Sequence, residues 1–295
     1  MSRRKTTILD LQKKKDDGQP IVMMTAYDVS SARLVDRAEI DVVLVGDSLG
    51  QVMLGLESTV PVTMEDMLHH CRAVSRGARG GFLVGDMPFL SYQADRAEAI
   101  RNAGRFLKEA GMDAVKLEGG RSAAATVRAI VEAGIPVMGH IGLTPQSTSK
   151  LGGYRVQGRT AAAARDLLAD ALALEAAGCF AIVLELVPGP VAEVISRRLK
   201  VPTIGIGAGN GCDGQVLVYH DMLGLSDNFV PRFLKLYAQL GETIVEALTA
   251  YRRDVQERRF PAAEHGYEMA PEELQAFLAA VGEEPVAVPV GAGGE

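Results

Sequence analysis

The chain has only three cysteines, no excess of basic residues and no long apolar run, and each shortage removes a class of function. Cys71, Cys179 and Cys212 are odd in number and far apart, which fits neither a disulfide framework nor a thiolate zinc site. They read as reduced thiols of a cytosolic protein. Lys and Arg number 31 against 37 Asp and Glu, for a net charge of −6. That balance offers no clustered cationic face for a nucleic-acid backbone or an anionic membrane. No apolar run approaches the ~20 residues of a membrane helix. The basic segment from Met1 to Gly18 holds three aspartates and no apolar centre, unlike a secretory signal. The expected protein is cytoplasmic, with neither nucleic acid nor membrane as partner.

What is present is a large core: hydrophobic residues make up 47% of 295 and charged residues 23%, ordinary for a soluble globular chain. The rest is organised around Val42-Val43-Leu44-Val45-Gly46-Asp47-Ser48-Leu49-Gly50. Its four β-favouring residues without polar alternation predict a strand buried on both faces, as in a parallel sheet covered by helices. The polar residues follow where that strand ends, with Gly46 and Gly50 read as the turn that aims them.

The same alternation runs along the chain. A capping helix over Thr7 to Lys15 precedes strand one, Ile21 to Ala26, and a helix over Ser30 to Glu39 leads to strand two, Val42 to Val45. Thr63 and Asp66 form a capping box for the helix running through Arg76. Strand three is Phe82 to Val84, strand four Ala114 to Glu118 and strand five Pro136 to Gly139, with helices over Asp95 to Ala110 and Ser122 to Ala133 between them. Ile141 to Gly158 is polar and glycine-rich without helical period, a length of loop that usually serves function, here as a lid. A helix over Thr160 to Ala177 follows, then strand six, Phe180 to Leu184, a helix opened by Pro190, strand seven, Val201 to Ile206, and strand eight, Val216 to Tyr219.

Eight strands alternating with helices predict a single-domain (β/α)8 barrel over residues 1–260. A closing helix is expected from Phe229 to Arg253, and then a tail, 261–295, with one helix from Pro271 to Val281 and a flexible end.

The ends of strands two to six carry Asp47, Asp86, Lys116 with Glu118, His140 and Glu185. Lys116 and Glu118 are two apart and share a face, so the charged pair points into the barrel, where burial requires a partner or a bound charge. Asp47, Asp86 and Glu118 make a hard, all-oxygen donor set suited to Mg²⁺ or Mn²⁺ rather than zinc. His140 is placed for hydrogen bonding, for ligation or for a purely structural role. Adjacent His69 and His70 point about 100° apart on one helix and are set aside. Glu185 follows Ala181-Ile182-Val183-Leu184, an apolar setting that would raise its pKa toward that of a general base. Gly209-Asn210-Gly211-Cys212-Asp213-Gly214 satisfies G-x-G-x-x-G, but it lies between strands seven and eight rather than opening a βαβ unit, so it reads as tight turns.

The strings VGDSLG (45–50), GDMPF (85–89), VKLEGG (115–120), GHIGLTPQ (139–146), GGYRVQGR (152–159) and PTIGIGAGN (202–210) resemble the ketopantoate hydroxymethyltransferase family over roughly residues 5 to 262. The resemblance implies Mg²⁺ held by Asp47 and Asp86, with Glu118 completing the site directly or through water. It implies that Ser48 and Lys116 bind the 2-oxo acid beside Asp47 and Asp86 and that Glu185 is the proton acceptor; His140 is a further candidate substrate contact by its position alone. The implied reaction moves a hydroxymethyl group from 5,10-methylenetetrahydrofolate to 3-methyl-2-oxobutanoate, giving 2-dehydropantoate for pantothenate synthesis, in a homo-oligomer that is commonly a decamer. Where the family often reads LECVP, this chain reads Leu184-Glu185-Leu186-Val187-Pro188; the glutamate is kept.

Two other readings compete. A Mg²⁺-dependent lyase or mutase of the isocitrate lyase or phosphoenolpyruvate mutase kind also stabilises an enolate, generally with a cysteine on a mobile loop, and Cys212 is the one cysteine here in such a loop. A catalytically dead barrel kept as an oligomeric scaffold is the other, and intact acids at successive strand ends argue against it.

Overall fold

In the computed structural model, residues 4–226 and 231–284 are described. They fall into two compact units, Met1–Gln239 and Leu240–Glu295. The first unit holds β1 (Ile21–Thr25), β2 (Val42–Val45), β3 (Phe82–Asp86), β4 (Ala114–Glu118), β5 (Val137–Gly142), β6 (Ala181–Glu185), β7 (Thr203–Ile206) and β8 (Gly214–Leu217). All pair in parallel with their chain neighbours, and β8 pairs back to β1 to close the barrel. Its helices are α1 (Ile8–Asp16), α2 (Val29–Arg37), α3 (Leu49–Val52), α4 (Met64–Gly77), α5 (Arg96–Ala110), α6 (Ala124–Glu132), α7 (Thr148–Leu151), α8 (Ala161–Ala176), α9 (Gly189–Arg198) and α10 (Tyr219–Met222). The second unit carries α11 (Leu240–Gln256) and α12 (Pro271–Val281).

The period of two along each strand sorts side chains into two cores. Val43, Val45, Leu83, Val115, Leu117, Val137, Ile182 and Leu184 face the helices and pack with their apolar stripes. Val42, Leu44, Val84, Ala114, Met138, Val183 and Ile204 fill the interior. Leu11 of α1 joins this inner core from below, and Lys14 and Lys15 fasten the helix to Asp41 at 2.6 Å and Asp213 at 2.7 Å. Lys116 and Glu118 take the inward positions above Ala114, as their spacing required.

Several boundaries differ from those read in the sequence, for local reasons. β3 and β5 run on to include Asp86 and His140, because Asp86 pairs with Lys116 and His140 with Glu118 across the ladder. β8 begins at Gly214 and ends at Leu217 rather than running from Val216 to Tyr219; the Tyr219 N–H turns to donate to Thr25 Oγ1 at 2.8 Å, which starts α10. Short α3 and α7 sit within stretches expected to be irregular. The closing helix begins at Leu240, not Phe229. Phe229 and Val230 lie outside the described residues, and Tyr237 N–H donates to Met222 O at 2.8 Å, which holds that segment out of a helix. α12 spans the predicted residues.

Candidate active site

Every polar residue expected at the strand ends is found at the carboxyl mouth of the barrel, and all but Glu185 and Ser48 are buried. Asp47 lies one residue past Gly46 at the end of β2, and its backbone N–H donates to Asp86 Oδ2 at 3.2 Å. Gly46 does not adopt a positive φ; it is needed for space, since a Cβ there would stand 2.8 Å from Ser48 Oγ. Ser48 Oγ is held by the buried Tyr27 hydroxyl at 2.8 Å.

Lys116 Nζ donates to both oxygens of Asp86, at 2.6 and 2.7 Å. Burial alone would lower the lysine pKa, but Asp86, Asp47 and Glu118 outweigh it and raise it, so the ammonium stays charged. Asp47 is pushed well up, first by burial and then by the charges of Asp86 and Glu118. A carboxylate in that state is short of positive charge, which is what a divalent cation supplies. Glu118 Oε1, moreover, is buried with no hydrogen-bond partner among the described residues. The donor chemistry therefore fits Mg²⁺, although among the described residues no three His, Cys, Asp or Glu side chains form a ready-made cage. Mg²⁺ asks for little more than one or two carboxylates and keeps its remaining positions for water or substrate oxygens.

His140 stands between two acids, Nδ1 facing Glu118 Oε1 at 3.4 Å and Nε2 facing Glu185 Oε2 at 3.1 Å. Neither approach is aligned as a hydrogen bond, and both ring nitrogens are otherwise without partners among the described residues. Burial and Lys116 push the imidazole pKa down, yet the two carboxylates prevail and raise it to about 9. The setting of Glu185 is wetter than its apolar strand suggested: the carboxylate is 18% exposed. Opposite it in the β5–β6 ladder, Gly142 has φ +94°, and a Cβ there would lie 2.1 Å from Glu185 O.

The sequence reading missed Gln146 and Tyr92. Gln146 Nε2 donates to Asp47 Oδ2 and to Met87 O, each at 2.9 Å, and its backbone N–H donates to Glu118 Oε2 at 3.0 Å. The Tyr92 hydroxyl donates to Gln146 Oε1 at 2.7 Å, which fixes the amide so that its NH₂ faces Asp47. Gln146 stands in the GHIGLTPQ string, but nothing in the string distinguishes it from a loop glutamine.

Cys212 is not in this mouth. It lies beside Gly205, on the helix-facing side of β7, where a Cβ on Gly205 would be 3.1 Å from its Sγ, and burial raises its thiol pKa. It borders a cavity of about 790 Å³ on the outer wall, lined also by Val22, Leu186, Asn210, Gln215 and Phe233.

The family described as ketopantoate hydroxymethyltransferase matches residues 5–263. A 3-methyl-2-oxobutanoate hydroxymethyltransferase from Heliobacterium modesticaldum is 56% identical over 266 residues, covering 90% of this chain and 96% of the relative. Its namesakes from Moorella thermoacetica and Chloroflexus aurantiacus are each 57% identical, covering 90% and 92% of this chain and 98% and 96% of theirs. Among solved structures, a phosphonopyruvate hydrolase in complex with oxalate and Mg²⁺ is 14% identical with a TM-score of 0.57, covering 94% of this chain and 97% of its own. A phosphoenolpyruvate phosphomutase from Streptomyces platensis subsp. rosaceus is 17% identical with a TM-score of 0.56, covering 93% and 96%. At such identities the structural likeness speaks to the barrel fold alone.

Proposed function

The chain belongs to the ketopantoate hydroxymethyltransferase family, and on that premise we propose that this enzyme transfers a hydroxymethyl group from 5,10-methylenetetrahydrofolate to 3-methyl-2-oxobutanoate, in the cytoplasm and as a homo-oligomer. The observation that carries the reading is the convergence of Asp47, Asp86, Lys116, Glu118, His140 and Glu185 at one barrel mouth.

In this reading Asp47 and Asp86 would hold Mg²⁺, with Glu118 beside them. The bound ion supplies Lewis-acid polarisation of the oxo acid's oxygens. Lys116 offsets the substrate carboxylate in a buried setting where such stabilisation is strong, and Ser48, oriented by Tyr27, contacts the same substrate. Glu185 takes the proton from C3, and the imidazole of His140 at 3.1 Å steadies the carboxylate that must accept it. The resulting enolate forms a bond to the one-carbon unit, whose carbon–nitrogen bonds to N5 and N10 of the folate both break, the two nitrogens taking up the C3 proton and one proton of water. Water supplies the oxygen of the new hydroxymethyl group, leaving 2-dehydropantoate and tetrahydrofolate.

The test is exchange of the C3 proton of 3-methyl-2-oxobutanoate for deuterium, followed by NMR with Mg²⁺ and no folate. Wild-type protein is expected to catalyse it and Glu185→Gln to lose it. Absence of exchange in the wild-type protein with metal present sinks the mechanism.

A further inference from the structure

Residues 141–165 contain Lys150, Arg155, Arg159 and Arg165 but no Asp or Glu, in a chain whose net charge is −6. Lys150, Arg155 and Arg159 are exposed, and none forms an ion pair among the described residues. A run of charge is usually just a solvated face, so the placement of this one decides its meaning.

Both ends of the segment are tied to the catalytic mouth. At one end Gln146 is bound to Asp47 and Glu118; at the other, Gln157 N–H donates to Leu186 O at 2.8 Å, next to Glu185. The span between turns at Gly152 and Gly153, with φ of +72° and +104°. Its next residue, Tyr154, has its hydroxyl beside the Gln51 side chain and lies within the field of Glu185, Asp47 and Glu118, yet is 55% exposed. Gln51 belongs to α3 on the facing loop, and the exposed Met53 and Leu54 follow it. The opening is therefore rimmed by an exposed aromatic ring, two apolar side chains and three unpaired cations. The single carboxylate of the oxo acid already meets Lys116 at depth, so the outer cations answer to something else.

We propose that the segment 148–159 is the recognition surface for the one-carbon donor, with Tyr154 stacking on its flat pterin or aminobenzoyl ring and Lys150, Arg155 and Arg159 receiving its glutamate carboxylates. The inference rests on the proposed function, in which a reduced folate is the donor. An exposed tyrosine ring at the rim of a site is a platform for a planar ring system. Exposed, unpaired cations around it suit an anionic tail of variable length better than a fixed, buried pair would.

The test compares wild-type enzyme with Arg155→Ala/Arg159→Ala, Tyr154→Ala and Tyr154→Phe. Two readouts are taken: KM for the monoglutamyl and triglutamyl donors at low and high salt, and folate-free C3 deuterium exchange. The double variant is expected to raise donor KM about tenfold at low salt and to erase any preference for the triglutamyl form. Tyr154→Ala raises KM for both donors and Tyr154→Phe largely restores it, while exchange stays at the wild-type rate throughout. Unchanged donor KM in the variants, or exchange falling in step with transfer, overturns the lid's role and leaves the donor reading standing. Wild-type protein that exchanges the proton but takes no carbon from the folate refutes the donor itself, and this inference with it.

Discussion

Gln146 shows what one side chain does for this site. Its amide and backbone N–H hold one oxygen each of Asp47 and Glu118, and Tyr92 holds the amide. Without it two acids would lose the donors that aim them. Partners of this kind around a metal site are usually worth 10–100-fold in affinity. Gln146→Leu is therefore expected to weaken Mn²⁺ binding to metal-free protein by about that factor, read by electron paramagnetic resonance titration, with Tyr92→Phe causing a smaller loss. Wild-type affinity in Gln146→Leu would show that the carboxylates orient themselves. The acids, the lysine and the histidine were legible in the sequence because strand-end position and period-two spacing say which way a side chain points. Gln146 was not, because its meaning comes from Asp47, 99 residues away, and no local pattern records that approach.

Elements were legible where their boundaries are written in local chemistry. Thr63 and Asp66 form the reciprocal capping box their spacing implied, Gly111 ends α5 in the left-handed conformation, and the bare run Val42–Val45 is buried throughout. The boundaries that moved are those set by neighbouring strands or by turns from far away: β8 answers to β1, and β5 lengthens because β4 and β6 offer it partners. Gly142 at the end of β5 is where this matters most. Alanine there would have to hold φ near +94° with its Cβ against Glu185 O. Gly142→Ala is expected to cost more than about 1 kcal/mol in urea unfolding and to lower C3 exchange, because the strand that carries the base must shift. Full stability in the variant would mean that β5 and β6 separate more easily than their ladder suggests.

At the scale of the molecule, the (β/α)8 architecture follows from eight repeats of strand and helix, whereas a homo-oligomer is implied by the family resemblance alone. One surface of the second unit bears on the proposed assembly. On α11, Ile244, Leu248, Tyr251 and Val255 recur at helical spacing and are all exposed, from 44 to 61%, an apolar stripe that water does not favour. Light scattering is expected to find a homo-oligomer, with Leu248→Glu/Tyr251→Glu shifting it to smaller species and making the melting temperature depend less on concentration. A wild-type monomer at micromolar concentration would remove the homo-oligomer from the proposed function.

The seating of Leu11 against the inner core, clamped by Lys14 and Lys15, makes the barrel a vessel stopped at one end. Whatever reaches the carboxylates enters from above and must leave the same way. For the proposed reaction such a vessel would impose a queue: the small acid that occupies the bottom would go in before the larger donor could stand over it, and would come out, one carbon heavier, only after the spent donor had moved aside.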